Sequence, residues 1–266
     1  MTKSAAELAA KGKYGFEDLV EIMVLLRSEN GCPWDREQDH HSIRDDLIEE
    51  TYEVIEAIDT DDPVLLREEL GDVMLQVVFH ARIAEEEGSF NIDDVANDIC
   101  AKLIHRHPHV FGEVSVTGSD QVLVNWEKIK SDEKERVTVT DKLKSIPPML
   151  PALMRAAKVG KKASCFDFPT AEDVMDKIAE EMVEVSEAME KGDSNEIEEE
   201  IGDLLLSVTS LCRKLGVKPE DALNRATDKF ISRFEKIENE VISSGKDIKS
   251  MGMDELDAIW DRIKKK

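Results

Sequence analysis

The chain has 266 residues, with 35 lysines and arginines against 59 aspartates and glutamates, a formal net charge of −24. So acidic a balance argues against a nucleic-acid or anionic-membrane binder, since each needs a basic footprint to displace counterions. Apolar residues at 41% allow a real core, and scarce Gly (13), Pro (8) and aromatics (5%) favour an all-α fold over a sheet. A first helix is expected over Phe16–Leu26. Ile43, Leu47, Ile48, Tyr52, Ile55 and Ile58 then recur at helical spacing on one side. Asp59-Thr60-Asp61-Asp62-Pro63 reads as a turn, with Pro63 suited to the first turn of the next helix. That helix carries Val73-Met74-Leu75 and Val77-Val78-Phe79 around Gln76. Being apolar nearly all round, it is expected to lie centrally in a bundle.

Residues 131–145 are charged and polar, and Pro147, Pro148 and Pro151 then interrupt any helix. A junction is placed near residue 145, giving an N-terminal domain over 1–145 and a C-terminal domain over 146–266. An apolar helix from Leu153 to Val159 opens the second part as the counterpart of Phe16–Leu26, and Lys191-Gly192-Asp193-Ser194 supplies its turn. No run approaches the ~20 apolar residues of a membrane span. Residues 1–11 hold no uninterrupted apolar stretch, and Cys32, Cys100, Cys165 and Cys212 form no Cys-x-x-Cys pair. The expectation is a reduced, cytoplasmic protein.

The two halves repeat each other. Glu49-Glu50-Thr51-Tyr52-Glu53 returns as Glu180-Glu181-Met182-Val183-Glu184, and Glu68-Glu69-Leu70-Gly71-Asp72 as Glu199-Glu200-Ile201-Gly202-Asp203, both at an offset of 131. Lys102-x-x-x-Arg106 echoes Lys229-x-x-x-Arg233, and Trp126-Glu-Lys-Ile-Lys130 echoes Trp260-Asp-Arg-Ile-Lys264, at drifting offsets. The chain is a tandem duplication.

Glu50 and Glu53 share one helix face, as do Glu69 and Asp72. The pairs 53/69 and 50/72 both centre on residue 61, inside the expected turn, and 184/200 and 181/203 both centre on Gly192. In an antiparallel hairpin each copy therefore levels four carboxylates into a ring. Two carboxylates ~5 Å apart repel by ~3 kcal/mol even at an effective dielectric of 20. Proton uptake or a divalent cation relieves this, and an all-oxygen set favours Mg²⁺ or Mn²⁺. A lone Glu-x-x-Glu is ordinarily a solvated face; mirror placement about two separate turns is what raises this pattern above that. A di-iron bundle would want Glu-x-x-His, and none stands beside either ring. His80 follows Asp72 by two turns but has no counterpart in the second copy, where Leu211 stands. His105, His107 and His109 alternate around Pro108, which does not put three imidazoles on one helix face and argues against zinc.

Lys177 lies four residues before Glu181 and seven before Glu184, on the ring side of its helix, and Lys229 and Arg233 form an i, i+4 pair. Beside a divalent ion such cations suit phosphate oxygens. Trp260 and Trp126 are candidates to stack a base, although a core position is the commoner fate of tryptophan.

Glu-Glu-x-x-Glu followed sixteen residues later by Glu-x-x-Asp, twice, resembles the MazG nucleoside triphosphate pyrophosphohydrolases of the all-α NTP pyrophosphatase superfamily. Gly31-Cys32-Pro33-Trp34-Asp35-x-x-Gln38, His105-Arg106-His107-Pro108-His109-Val110-Phe111 and Leu150-Pro151-Ala152-Leu153-Met154-Arg155-Ala156 are similar to the tandem bacterial form, so the likeness covers nearly the whole chain. The resemblance implies Mg²⁺-dependent hydrolysis of NTP or dNTP to NMP and pyrophosphate by a homodimer, with the second copy active. It implies Glu181, Glu184, Glu200 and Asp203 as metal ligands, Lys177, Lys229, Arg233 and Trp260 as nucleotide contacts, and Glu180 as the residue acting on the attacking water. Glu50, Glu53, Glu69 and Asp72 would form a second metal site in a structural, regulatory or weakly active first copy, where Asp46 stands in the place of Lys177. One departure is Cys165-Phe166-Asp167-Phe168, where the family has Gly-Phe-Asp-Trp. The alternatives are a narrow-specificity enzyme for a dNTP or damaged nucleotide, and a non-catalytic acidic scaffold binding a basic partner.

Overall fold

The computed structural model describes residues 4–132 and 138–264, so residues 133–137 of the charged segment lie outside the described residues. It holds α1 (Ala5–Ala9), α2 (Phe16–Leu26), α3 (Pro33–Glu37), α4 (Arg44–Asp59), α5 (Pro63–Glu86), α6 (Ile92–Arg106), α7 (Pro108–Phe111) and α8 (Ser119–Asp132). Then follow α9 (Val139–Lys144), α10 (Ala152–Lys162), α11 (Ala171–Lys191), α12 (Ser194–Lys214), α13 (Pro219–Ser243), a 3₁₀ turn (Ile248–Ser250) and α14 (Met253–Lys264). No strand occurs among the described residues, and none of the described helices is long and apolar enough to cross a membrane. The all-α expectation holds. The chain divides into two compact units, Met1–Lys130 and Ser131–Lys266. The division falls before α9, which packs on α10.

In the first unit α4 and α5 form a hairpin, and α2 packs across α5. The turn between them is built by capping: Asp61 takes a left-handed φ of 53°, and the Asp62 carboxylate accepts from the amides of Val64 and Leu65, with Pro63 next in the first turn of α5. Met23, Ile43, Val78, Phe79 and Ile83 make the core, with Leu19, Val20, Leu26, Leu75 and Ile92 packed around it. The Gly31-Cys32-Pro33-Trp34-Asp35 stretch folds back on α2. A Cβ at Gly31 would lie 2.2 Å from the Leu26 carbonyl oxygen, so only glycine fits there. The buried Arg27 side chain ties that segment down, donating to the Asp35 and Gln38 carbonyls and pairing with Glu86 at 2.8 Å.

In the second unit α11 and α12 form the equivalent hairpin, turning at Gly192 with φ of 71°. Thr170 and Asp173 close a capping box at the start of α11, and Asp193 caps α12. Asp167, just before α11, accepts from Arg213 at 2.7 Å and pairs with Lys214 at 2.8 Å near the end of α12. Those two cations hold its carboxyl well below the usual range. A separate apolar cluster of Ile237, Val241 and Ile259 joins α13 to α14.

The central helices differ from expectation. α5 buries Val78, Phe79, Ala81, Ile83 and Ala84 toward its C-terminal end, but leaves Leu70, Met74 and Val77 exposed before them. α12 goes further. Its buried residues are Ser207 and Thr209, while Leu205, Leu206 and Val208 face outward. Ser207 and Thr209 stand two residues, and so ~200°, apart around the helix, and both α11 and α10 pack on α12. On α4, Ile43 is buried at the N-cap, whereas Ile48, Tyr52, Ile55 and Ile58 are exposed.

Candidate metal centre

Each hairpin brings three of its four acids together. One carboxylate oxygen from each of Glu181, Glu184 and Glu200 lies within 4.8 Å of the others, and the same is true of Glu50, Glu69 and Asp72 in the first unit. Asp203, exposed on α12, and Glu53 stand outside these tight groups. Glu53 is nonetheless close enough to raise the pKa of both Glu50 and Glu69. Three of the four ring positions thus converge in each unit, a different three in each.

Burial, and then the neighbouring acids, push Glu50 and Glu69 above the usual carboxylate range. Glu184 is raised as well, by burial first, with Lys177 opposing and Glu181 and Glu200 adding. Glu181 is only 4% exposed, and its Oε2 is buried with no hydrogen-bond partner among the described residues. Such an oxygen is costly in a dry setting and calls for a donor or a cation. Three converging carboxylates, one with an unanswered oxygen, suit a hard divalent ion.

Lys177 occupies the mouth of the second ring. Its Nζ lies 2.9 Å from Glu180 Oε1, 2.9 Å from Glu181 Oε1 and 3.8 Å from Glu184 Oε2. Those bonds hold its ammonium well above the ordinary lysine value. Glu180, exposed on α11, is therefore engaged by Lys177. In the first unit Asp46 takes the corresponding place on α4.

Arg233 and Trp260 come together elsewhere in the second unit. The guanidinium of Arg233 sits 5.7 Å from the Trp260 ring centroid, and Phe230 packs on the same indole at 5.4 Å. Lys229, one turn before Arg233, is exposed. The first unit repeats the motif with Arg106 at 5.4 Å from Trp126, and His107 meets the same ring edge-on at 4.9 Å. In the second unit α11 packs chiefly on α12, and α13 chiefly on α14 and α10. The carboxylate ring and the arginine–tryptophan cluster thus sit on different helix pairs.

Two features escaped the sequence reading. His80 has a partner: its Nδ1 lies 2.8 Å from Nδ1 of His40. His40 comes from the irregular turn before α4, where no periodicity points to it. Gln76, one helical turn before His80 on α5, is buried with its Oε1 unpartnered among the described residues. A lone polar residue inside an apolar run was the only trace it left.

The MazG nucleotide pyrophosphohydrolase domain model matches residues 38–111 and 169–237, one segment in each unit. The chain is 46% identical over 251 residues to the nucleoside triphosphate pyrophosphohydrolase/pyrophosphatase MazG of Thermotoga maritima, covering 94% of this chain and 95% of that one. It is 42% identical over 252 residues to the nucleoside triphosphate pyrophosphohydrolase of Escherichia coli K12, covering 93% and 96%. Protein YabN of Bacillus subtilis is also 42% identical, over 94% of this chain and 51% of its own longer length. With the hairpin carboxylates in place twice and relatives aligned nearly end to end, the chain belongs to the MazG nucleotide pyrophosphohydrolase family.

Proposed function

We propose that this protein hydrolyses nucleoside triphosphates to the monophosphate and pyrophosphate at the ring of its second unit, as a Mg²⁺-dependent cytoplasmic homodimer that clears the nucleotide pool. The observation that carries the reading is the convergence of Glu181, Glu184 and Glu200 within 4.8 Å, with a cationic side chain at their mouth. The names of the Thermotoga and Escherichia relatives support the reaction.

Glu181, Glu184, Glu200 and Asp203 would hold Mg²⁺, or Mn²⁺ in its place. When bound, the ion supplies positive charge to the acids and to the triphosphate oxygens. Lys177, Lys229 and Arg233 pair with the phosphates, and Trp260 offers its face to the base. Glu180 takes a proton from the water whose oxygen bonds to the α-phosphorus, while the bridging oxygen leaves with pyrophosphate. The leaving group's charge falls on the same cations that positioned it. Glu50, Glu53, Glu69 and Asp72 form a second ion site that lacks the lysine, which suits a structural or regulatory role.

The homodimer reading rests on the outward leucines of α12 and the exposed Met182, Val183 and Met189 of α11. A helical hairpin of this kind buries its apolar face best against another.

Product analysis on a panel of NTPs and dNTPs tests the reaction. Pyrophosphate is expected as primary product, with Glu184→Ala or Asp203→Ala lowering kcat/KM by about 10³ or more and Glu53→Ala leaving most activity in place. Orthophosphate as primary product overturns the reading, and absence of turnover favours the scaffold. The ranking of kcat/KM across the panel separates a generalist from a narrow-specificity enzyme.

A further inference from the structure

We infer that Lys177 is a tethered counter-ion that plugs the second ring and must withdraw when a divalent ion enters, so that loading the ion frees the ammonium for phosphate. This rests on the reading of the ring as an ion site. The lysine reaches two ring acids at once, bonding Glu181 Oε1 at 2.9 Å and approaching Glu184 Oε2 at 3.8 Å, with Glu180 as an outer anchor at 2.9 Å. A magnesium-sized ion seats ~2.0–2.1 Å from its oxygens. An ammonium held on that same Glu181 oxygen would then face it across only a few ångströms of partly dry space, where like charges repel strongly. The two cations exclude each other.

The plug is incomplete, which is what lets it be displaced. It answers Glu181 Oε1 but leaves the buried Oε2 of the same carboxylate without a hydrogen-bond partner among the described residues. A divalent ion brings twice the charge and can engage more of these oxygens. Withdrawal needs only rotation of a four-carbon stem, because the helix beneath is fixed by its capping box and by the fully buried Val174 one turn earlier. The first unit carries the corresponding ring, closed by a different three of its four acids, and without the plug, since Asp46 replaces the lysine. The bare rings should therefore differ: the first takes an ion without displacing anything, whereas the second resists it until a polyphosphate gives the lysine a new partner. Ion and substrate are thereby coupled positively at the second ring.

Mn²⁺ binding to the full chain, followed by the electron paramagnetic resonance of the free ion without nucleotide, tests this. With the first ring silenced by Glu69→Ala, adding Lys177→Met is expected to tighten Mn²⁺ binding about tenfold, a difference of about 1.4 kcal/mol. Lys177→Arg, which keeps the charge, should stay close to the Glu69→Ala parent. In a Glu200→Ala background, Asp46→Lys installs a plug in the first ring and should weaken Mn²⁺ binding by a similar factor; this arm decides alone if Lys177→Met fails to fold. Unchanged or weaker binding in Lys177→Met overturns the plug. If the Glu69→Ala parent binds Mn²⁺ and releases pyrophosphate but Lys177→Met binds no tighter, the plug alone fails. A parent with neither ion binding nor turnover sinks both readings.

Discussion

His40 and His80 lie nearly in one plane, 10° apart, with ring centroids 5.1 Å and facing Nδ1 atoms 2.8 Å from each other. That geometry is an edge-to-edge N–H···N bond, in which one Nδ1 donates and the other accepts. A second proton on the pair would set two N–H groups against each other. Burial, and then His40, hold His80 below its ordinary 6.5, while Glu87 stands 3.9 Å from the far nitrogen of His40. The folded state therefore binds fewer protons than the unfolded chain, and stability falls as pH drops through 6.5 toward the lower folded value. Urea midpoints between neutral and mildly acid pH should show this loss in wild type and a flatter profile in His80→Gln. Arg27 gives a second prediction. Its guanidinium is buried, pairs with Glu86 and serves two loop carbonyls. Arg27→Met should cost about 3 kcal/mol in chemical unfolding of the first unit. Neither feature is legible in the sequence, because each joins residues far apart through irregular backbone. Spacing alone put the eight acids on facing helices, but it did not show that Glu53 and Asp203 would stand outside the two converging groups.

At the scale of elements, the two hairpins show what a repeat preserves. Asp61 and Gly192 stand 131 residues apart, and both take left-handed φ values, 53° and 71°. The turn conformation is shared although the residue is not, as expected where aspartate tolerates what most side chains resist. No neighbour crowds a Cβ at Gly192, so Gly192→Ala meets backbone strain alone. It should lower stability by about 1 kcal/mol, read by thermal unfolding, while Gly192→Asp costs well under that. The hairpins themselves were predictable from two turns and the symmetry of the acids about them. Which face of α12 lies inside was not. A run apolar on nearly all sides has no preferred side, and the residues it buries, Ser207 and Thr209, carry no hydrophobic signal.

For the whole molecule, the outward apolar rows set the expectation of self-association. Leu205 and Leu206 are 51% and 47% exposed on the single chain. If they meet a second copy, Leu205→Glu should halve the mass in light scattering and reduce turnover, without unfolding a position that is half in water. An unchanged mass equal to that of one chain would remove the dimer from the proposal. The tandem architecture was readable from self-similarity. The arginine–tryptophan clusters were readable only as echoes, because their drifting offsets hide how α13 and α14 pack.

The outward leucines of α12 also bear on how the protein is made. If that row is the seam of a dimer, a newly released chain carries it wet until it meets its twin, and dilution itself becomes a hazard. Refolding yield should climb with protein concentration up to the point where pairing outruns clumping, and a cell holding scarce copies would lean on chaperones to keep the seam covered.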